Sequence, residues 1–276
     1  GGFFSIIASY VIENKGKVYG AAFNKYFQVE HIGISSIAEI KRLQKSKYIQ
    51  SKKKVGLFLE IKEELDRGIL VCFSGTPCEV EGLLCFLGKK YDNLITIDIA
   101  CHSVPSQKVF NKYMERYGGI ENIEVVDFRN KRYGYDYSNM LIELKDGNKI
   151  YDGPEINQYM RAFLDNISVR PSCYKCNFKK KYREPDISIW DCYDVWNYFK
   201  ECNNNKGANK VLIHSNKGME VFTLCTKYMK YKEVEVDKLL LTSKEFTRSC
   251  ATNQRRSNFF MDIDRLEANE FFNKYY

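Results

Sequence analysis

Four cysteines stand in three short, turn-rich stretches: Ser74-Gly-Thr-Pro-Cys78, Ala100-Cys101-His102-Ser-Val-Pro105 and Arg170-Pro-Ser-Cys173-Tyr-Lys-Cys176. Four thiolates are the ligand set of an iron–sulfur cluster or a structural zinc, and Cys173-x-x-Cys176 has ligand spacing by itself. The chain has five prolines, and Pro77, Pro105 and Pro171 each lie within four residues of one of these cysteines. Gly, Pro and Ser favour turns, so each thiol is expected on a loop that can aim it. Any one of the four is explained equally well as a buried apolar residue; the set, in its shared context, points to a cluster or metal. Structural zinc usually draws its ligands as two close pairs. Only Cys173 and Cys176 form a pair here, and the scatter of Cys78 and Cys101 suits a cluster between lobes better. A nucleophilic cysteine served by His102 is disfavoured, because adjacent loop residues rarely point at each other.

Cys72, Cys85, Cys192, Cys202, Cys225 and Cys250 show no comparable pattern. Ten cysteines in 276 residues is far below the density of a disulfide-stapled secreted domain, and the chain can bury a real core. No leader pattern is visible, so a reducing cytoplasm is the expected compartment. No run approaches eighteen apolar residues, so no membrane span is expected. The chain opens without Met and runs straight into a helical pattern, so native residues are expected ahead of Gly1. The net charge is +8, with 43 basic and 35 acidic residues. Lysine runs such as Lys52–Lys54 and Lys179–Lys181 read first as solvated loop charge, and second as attraction for an anionic ligand or an acidic electron-transfer partner. Twenty tyrosines among basic residues raise nucleic-acid binding, but no recognition motif supports it.

The elements that must position these residues follow from periodicity. Residues 3–13, 36–46, 57–66, 78–87, 106–117 and 158–166 read as helices, with a further helix starting at Lys217 and one aromatic helix over 259–276. Residues 18–23 and 27–32 read as a hairpin turning near Asn24-Lys25. The apolar runs 69–73 and 94–100 read as strands buried on both faces. Each leads through a Gly/Ser/Pro loop into a helix, which puts Cys78 and Cys101 beyond the carboxyl ends of strands, where such sheets bind ligands. Residues 123–128, 139–144 and 149–151 alternate like antiparallel strands, with Lys145-Asp-Gly-Asn as a turn; residues 186–190 and 211–214 read as two more strands. The expected class is α+β: a mixed sheet with strand–loop–helix units and an antiparallel middle section. One domain over 1–276 is expected, with a soft lobe boundary near residue 120.

Gly1-Gly-x-x-Ser5, Ser46-Lys-Tyr-Ile-Gln-Ser51, Phe73-Ser-Gly-Thr-Pro-Cys78, Cys101-His-Ser-Val-Pro-Ser106, Asp127-Phe-Arg129, Arg170-Pro-Ser-Cys-Tyr-Lys-Cys176 and Asp186-Ile-Ser-Ile-Trp-Asp191 occur in this order. Together they resemble the coenzyme F420 hydrogenase/dehydrogenase beta-subunit family over nearly the whole chain. The resemblance implies an FAD- and [4Fe–4S]-dependent oxidoreductase. Such a protein passes electrons between a ferredoxin-like relay and a hydride-accepting small molecule or deazaflavin, and the family's ferredoxin-like segment would precede Gly1. It further implies Cys78, Cys101, Cys173 and Cys176 as cluster ligands. Gly1, Gly2, Ser5, Lys47, Tyr48, Ser51, Ser74, Gly75, Thr76, Ser103 and Arg129 are implied at the flavin, with His102 as hydrogen-bonding or proton-relaying group. The backbone N–H groups of Ser74–Thr76 and the helix start at Gly1–Ser5 would seat phosphate, Lys47 and Arg129 would pair with a pyrophosphate, and Tyr48 would stack on a ring. Plainer roles for these residues are an ordinary strand–helix turn, surface salt bridges and half-buried core. Two departures stand out. Ser103 replaces the usual Gly of the Cys-His-Gly loop, and Trp190-Asp-Cys-Tyr-Asp194 stands where the family reads Gly-Asp-Phe-Trp-Gly. The second departure keeps an alternative open: a diverged, non-catalytic member acting as a binding or assembly module, for example in polysaccharide biosynthesis.

Overall fold

The computed structural model describes residues 2–276; Gly1, expected at the flavin, lies outside the described residues. Six strands form the main sheet: β1 (Lys17–Phe23), β2 (Val29–Ile34), β3 (Val71–Gly75), β4 (Leu94–Ile99), β8 (Ile187–Asp191) and β9 (Asn209–Ile213). Their order is β2-β1-β3-β4-β8-β9. The inner pairs β1–β3, β3–β4 and β4–β8 are parallel, and β2 and β9 are antiparallel edges. Val71, Cys72 and Phe73 are fully buried, as near-continuous apolar text predicts for parallel strands covered on both faces. Helices Gly2–Glu13 and Asn216–Cys225 cover one face through Phe3, Phe4, Ile7, Ala8, Val11 and Val221. Helices Leu57–Asp66 and Pro77–Leu87 cover the other through Leu57, Ile61, Val80 and Leu83. The fold is α+β, as expected.

Between β4 and β8 the chain leaves the main sheet and builds a second, antiparallel one: β5 (Ile123–Asn130), β6 (Asn139–Leu144) and β7 (Lys149–Asp152). The β6–β7 turn places Gly147 at φ +89°, which a glycine adopts at little cost. Phe110, Phe128, Tyr159, Phe271 and Phe272 form the core beneath this sheet, and Val29 and Ile49 join it from the main-sheet side. The second layer therefore sits against the end of the main sheet where its parallel strands finish. No helix among the described residues is long and apolar enough to cross a membrane.

Several expected boundaries move. The helix expected over 36–46 is a single 3-10 turn, Ile37–Glu39, followed by Ile40–Leu43. Ser36 makes no side-chain cap, and Lys45 turns the chain at φ +68°. Strand β2 starts at Val29 because Phe27 is part of the turn, at φ +51°. The single helix expected over 259–276 is two helices, Arg256–Asp262 and Ala268–Tyr275. Its aromatic residues face one another across the pair: Phe259 packs 4.7 Å from Phe271 and 5.0 Å from Tyr275, and Tyr275 Oη donates to Asp262 Oδ2 at 2.7 Å.

Candidate functional site

Each cysteine loop has a local cause. Thr76 caps helix Pro77–Leu87, whose first residue is the proline that needs no N–H there. Cys78 follows, with its Sγ 3.2 Å from Thr76 Oγ1. Cys101 lies two residues past the end of β4. A short ladder brings its loop beside the third stretch. Ser106 N–H donates to Ser168 O at 3.0 Å, Arg170 N–H donates to Val104 O at 3.0 Å, and Pro105 bridges Val169. The 3-10 turn Pro171–Lys175 then presents Cys173, and Cys176 N–H donates to Ser249 Oγ at 2.9 Å.

These supports place Cys78, Cys101, Cys173 and Cys176 around one cavity of about 160 Å³, with His102 and Lys179 also in its wall. The volume matches apolar cavities of about 150 Å³ that take up benzene, so there is room for a small polyatomic group. Two further features fit such a group. The donor set is all-thiol, and the buried Ser103 hydroxyl has no partner beyond the Cys250 thiol beside it. Among the described residues no three of His, Cys, Asp and Glu stand close enough together to grip a single metal ion. Burial pushes the Cys101 thiol up to about 12, opposed by the nearby Lys179 ammonium, and burial likewise raises Cys173. Metal binding at these positions therefore has to displace protons. Cys250 also reaches this neighbourhood: burial and the Cys173 thiol raise it, and Lys179 lowers it. His102 Nε2 lies 2.7 Å from Asn166 Oδ1, and the ring meets Phe163 edge-on at 5.2 Å; burial lowers its basicity.

The other candidate residues line the same sheet edge in a different arrangement from that expected. Ser74 and Gly75 are not a free loop; they complete β3 opposite Ile97 and Asp98. Thr76 N–H donates to Glu79 Oε2 at 2.8 Å, so this helix start already holds a carboxylate. Gly75 has a close neighbour, but it is protein: an added Cβ would stand 3.0 Å from Glu79 Oε2 and 3.3 Å from His31 Nε2. Gly2 is similar, because Asn209 Oδ1 accepts the Phe3 N–H at 3.1 Å. Ser5 Oγ accepts from Gln44 Nε2 at 2.9 Å. Lys47 Nζ donates to Gln44 O at 2.7 Å, and burial pushes its pKa down to about 8. Tyr48 stacks on Phe163 at 5.0 Å and meets Phe128 edge-on, so Phe163 separates it from His102. Arg129 pairs with Asp191 at 3.3 Å and lies 4.9 Å above Tyr193.

His31, in strand β2, is the residue that joins this edge. Its Nε2 lies 3.1 Å from Ser74 O and its Nδ1 2.7 Å from Ser51 Oγ. A carbonyl only accepts, so Nε2 carries the proton and Nδ1 accepts the Ser51 hydroxyl. Burial lowers its pKa and favours this neutral form. The one available signal was that an alternating edge strand seldom spends an inward position on His.

Residues 69–238 match the family model for the C terminus of the coenzyme F420 hydrogenase/dehydrogenase beta subunit. That span holds all four cavity cysteines. Among solved structures, a chain of the xenon-derivatised F420-reducing [NiFe] hydrogenase complex from Methanosarcina barkeri is similar, with a TM-score of 0.55. The alignment covers 90% of this chain and 82% of that one at 16% identity, a likeness of fold. No curated protein matches the chain.

Proposed function

Because the chain belongs to the coenzyme F420 hydrogenase/dehydrogenase beta-subunit family, we propose that this redox protein is an FAD- and [4Fe–4S]-dependent oxidoreductase. It would pass electrons between a ferredoxin-like partner and a hydride-accepting small molecule or deazaflavin. The observation that carries the proposal is the convergence of Cys78, Cys101, Cys173 and Cys176 on one cavity. One zinc needs all four sulfurs at about 2.3 Å. A cluster takes each thiolate on its own iron, so four cysteines from separate loops lining one cavity with room for a polyatomic group suit it. When bound, the cluster supplies one-electron transfer and the flavin converts it to two-electron chemistry.

The chain's own residues would do the rest. The Cys101 and Cys173 loops, tied by the Pro105–Val169 bridge, hold two ligands in register. With Nε2 committed to Asn166, His102 keeps Nδ1 as the atom able to take a proton, and burial keeps it neutral. Lys47 and Arg129 offer positive charge beside the loop that carries Ser51, whose hydroxyl is oriented by His31. Ser103 and Tyr48 would complete the flavin side of the proposal, whereas the Thr76 and Phe3 N–H groups are already held by Glu79 and Asn209. The ten free thiols fit a reducing, cytoplasmic setting.

One observation favours a second reading, a diverged non-catalytic binding module. Where the family has glycines, Trp190 Nε1 donates to Ser243 Oγ at 2.8 Å, and Asp194 accepts from Thr242 at 2.6 Å and pairs with Lys210 at 2.9 Å. Anaerobic reconstitution with ferrous iron and sulfide separates the two. Uptake of about four irons per chain, lost in Cys101→Ser or Cys173→Ser but kept in Cys85→Ser, supports the oxidoreductase. Uptake indifferent to Cys101 refutes it, and a chain that takes neither iron nor flavin supports the binding module.

A further inference from the structure

The run Lys179–Lys181 divides in the fold. Lys180 and Lys181 point outward and pair with Glu81 and Asp237. Lys179 turns inward and joins the wall of the four-cysteine cavity. Its ammonium donates to Cys101 O, to Glu245 O at 2.5 Å and, more weakly, to His102 O at 3.5 Å. It forms no ion pair with a described carboxylate. Its partners are neutral carbonyls, so no described carboxylate neutralises its charge, and that charge acts on the Cys101 thiol. The Glu79 carboxylate, which also acts on Cys101, is already paired with Lys53. Arg170 and Lys175, the other cations of the wall, are solvent-exposed and are therefore screened.

We propose that Lys179 is the fixed counter-charge of the four-cysteine site: it clasps the Cys101 loop to the 245–250 segment and favours the reduced state of the iron–sulfur group that the cavity takes. The inference rests on the iron–sulfur reading given above. A cluster on four thiolates is anionic, and reduction by one electron adds one more negative charge. A partly buried cation in the cavity wall stabilises the reduced form more than the oxidised one. Lys179 acts through the cluster's surroundings and is a positioning residue.

The test reconstitutes the full chain anaerobically as wild type, Lys179→Gln and Lys179→Arg, and reads iron per chain and the midpoint potential by redox titration. Lys179→Gln keeps two donors for the carbonyls and loses the charge. It should bind as much iron as wild type, with its reduction equilibrium less favourable by on the order of tenfold, about 59 mV more negative for one electron. Lys179→Arg should stay near wild type. A Lys179→Gln potential equal to wild type, or a Lys179→Arg shift as large as that of Lys179→Gln, overturns the proposal. If Lys179→Gln takes up no iron while Lys179→Arg does, the charge serves assembly rather than the reduction equilibrium, and the proposal falls. If both variants take up none, Lys179 is only a clasp and the counter-charge role falls. A wild-type chain without iron overturns the iron–sulfur reading, and this inference with it, an outcome no variant can mimic.

Discussion

Substituting Arg183 by Met should be among the most costly changes in this chain, and the structure says why. Arg183 and Asp98 have side chains with 0% exposure, and their ion pair measures 2.8 Å. The guanidinium also donates to Phe246 O at 2.7 Å, Lys180 O at 3.1 Å and Ile99 O at 3.2 Å, and lies 3.6 Å from the Phe246 ring centre. Methionine fills the volume but leaves Asp98 buried without its partner. Breaking a buried pair in this way costs roughly 3–5 kcal/mol. At roughly 2–4 °C per kcal/mol for a chain of this size, the melting midpoint of the apoprotein should fall by roughly 6–20 °C. The double variant Arg183→Met/Asp98→Asn removes the stranded charge and should recover at least a few degrees. Calorimetry or circular dichroism melts at pH 7 read both. A single-variant loss below about 2 °C, or a double variant no better than the single, would refute the claim that pairing, rather than packing, holds this node. Arg183 ties the end of β4 to the segments that follow Cys176 and precede Cys250.

Three further variants have expected outcomes. Gly75→Ala should lower the melting midpoint, because its Cβ would press on Glu79 at 3.0 Å and disturb the carboxylate on Thr76 N–H, a cap contribution of about 1 kcal/mol. Gly82→Ala, in the same helix with nothing within 4 Å of its Cβ, should instead raise the midpoint through the 0.5–1 kcal/mol of helix propensity, roughly; equal effects would show that contact at Gly75 is irrelevant. For Asp194, burial pushes the pKa up, but hydrogen bonds from Thr242, Lys210 and Tyr198 outweigh it and hold the carboxyl at about 2. Its folded pKa is depressed, so its stabilisation is complete above the ordinary carboxylate range and is lost as pH falls toward about 2. In melts across pH 2–7, Asp194→Asn should therefore be less stable than wild type at neutral pH, with the gap closing in acid; a gap constant across that range would contradict the assignment.

Much of the fold could be read from periodicity, because local pattern suffices where one face is buried. Helix Leu57–Asp66 matches its expected bounds, as do strands β4 and β6 to within a residue. The cysteine loops were legible because glycine and proline mark turns whatever surrounds them. Long-range partners left no such mark. Ser74 and Gly75 look like loop until Ile97 and Asp98 extend the strand. Lys179 looks like one charge of a solvated run until the Cys101 carbonyl turns it inward. His31 gains its meaning only from Ser51 and Ser74, residues brought near by the sheet and not by the chain. The terminal aromatics read as one helix because 3.6-residue spacing cannot distinguish a stripe along one helix from two helices facing each other.

Strands β4 and β8 are hydrogen-bonded neighbours, yet Thr96 and Asp186, which bond side by side, are 90 positions apart along the chain. The whole second sheet is looped out between them. The inner strands β3 and β4, by contrast, close a connection about a quarter as long. Closure entropy grows by about 0.6 kcal/mol per doubling of loop length, so the long excursion adds only about 1.2 kcal/mol to the cost of pairing. Its larger effect is on time. Distant contacts form late in folding, and Cys78 and Cys101 flank the early pairing, whereas Cys173 and Cys176 arrive with the late one. Newly made chains would therefore present two of the four thiols well before the other two, so the order of folding itself delays completion of the site until the excursion has closed.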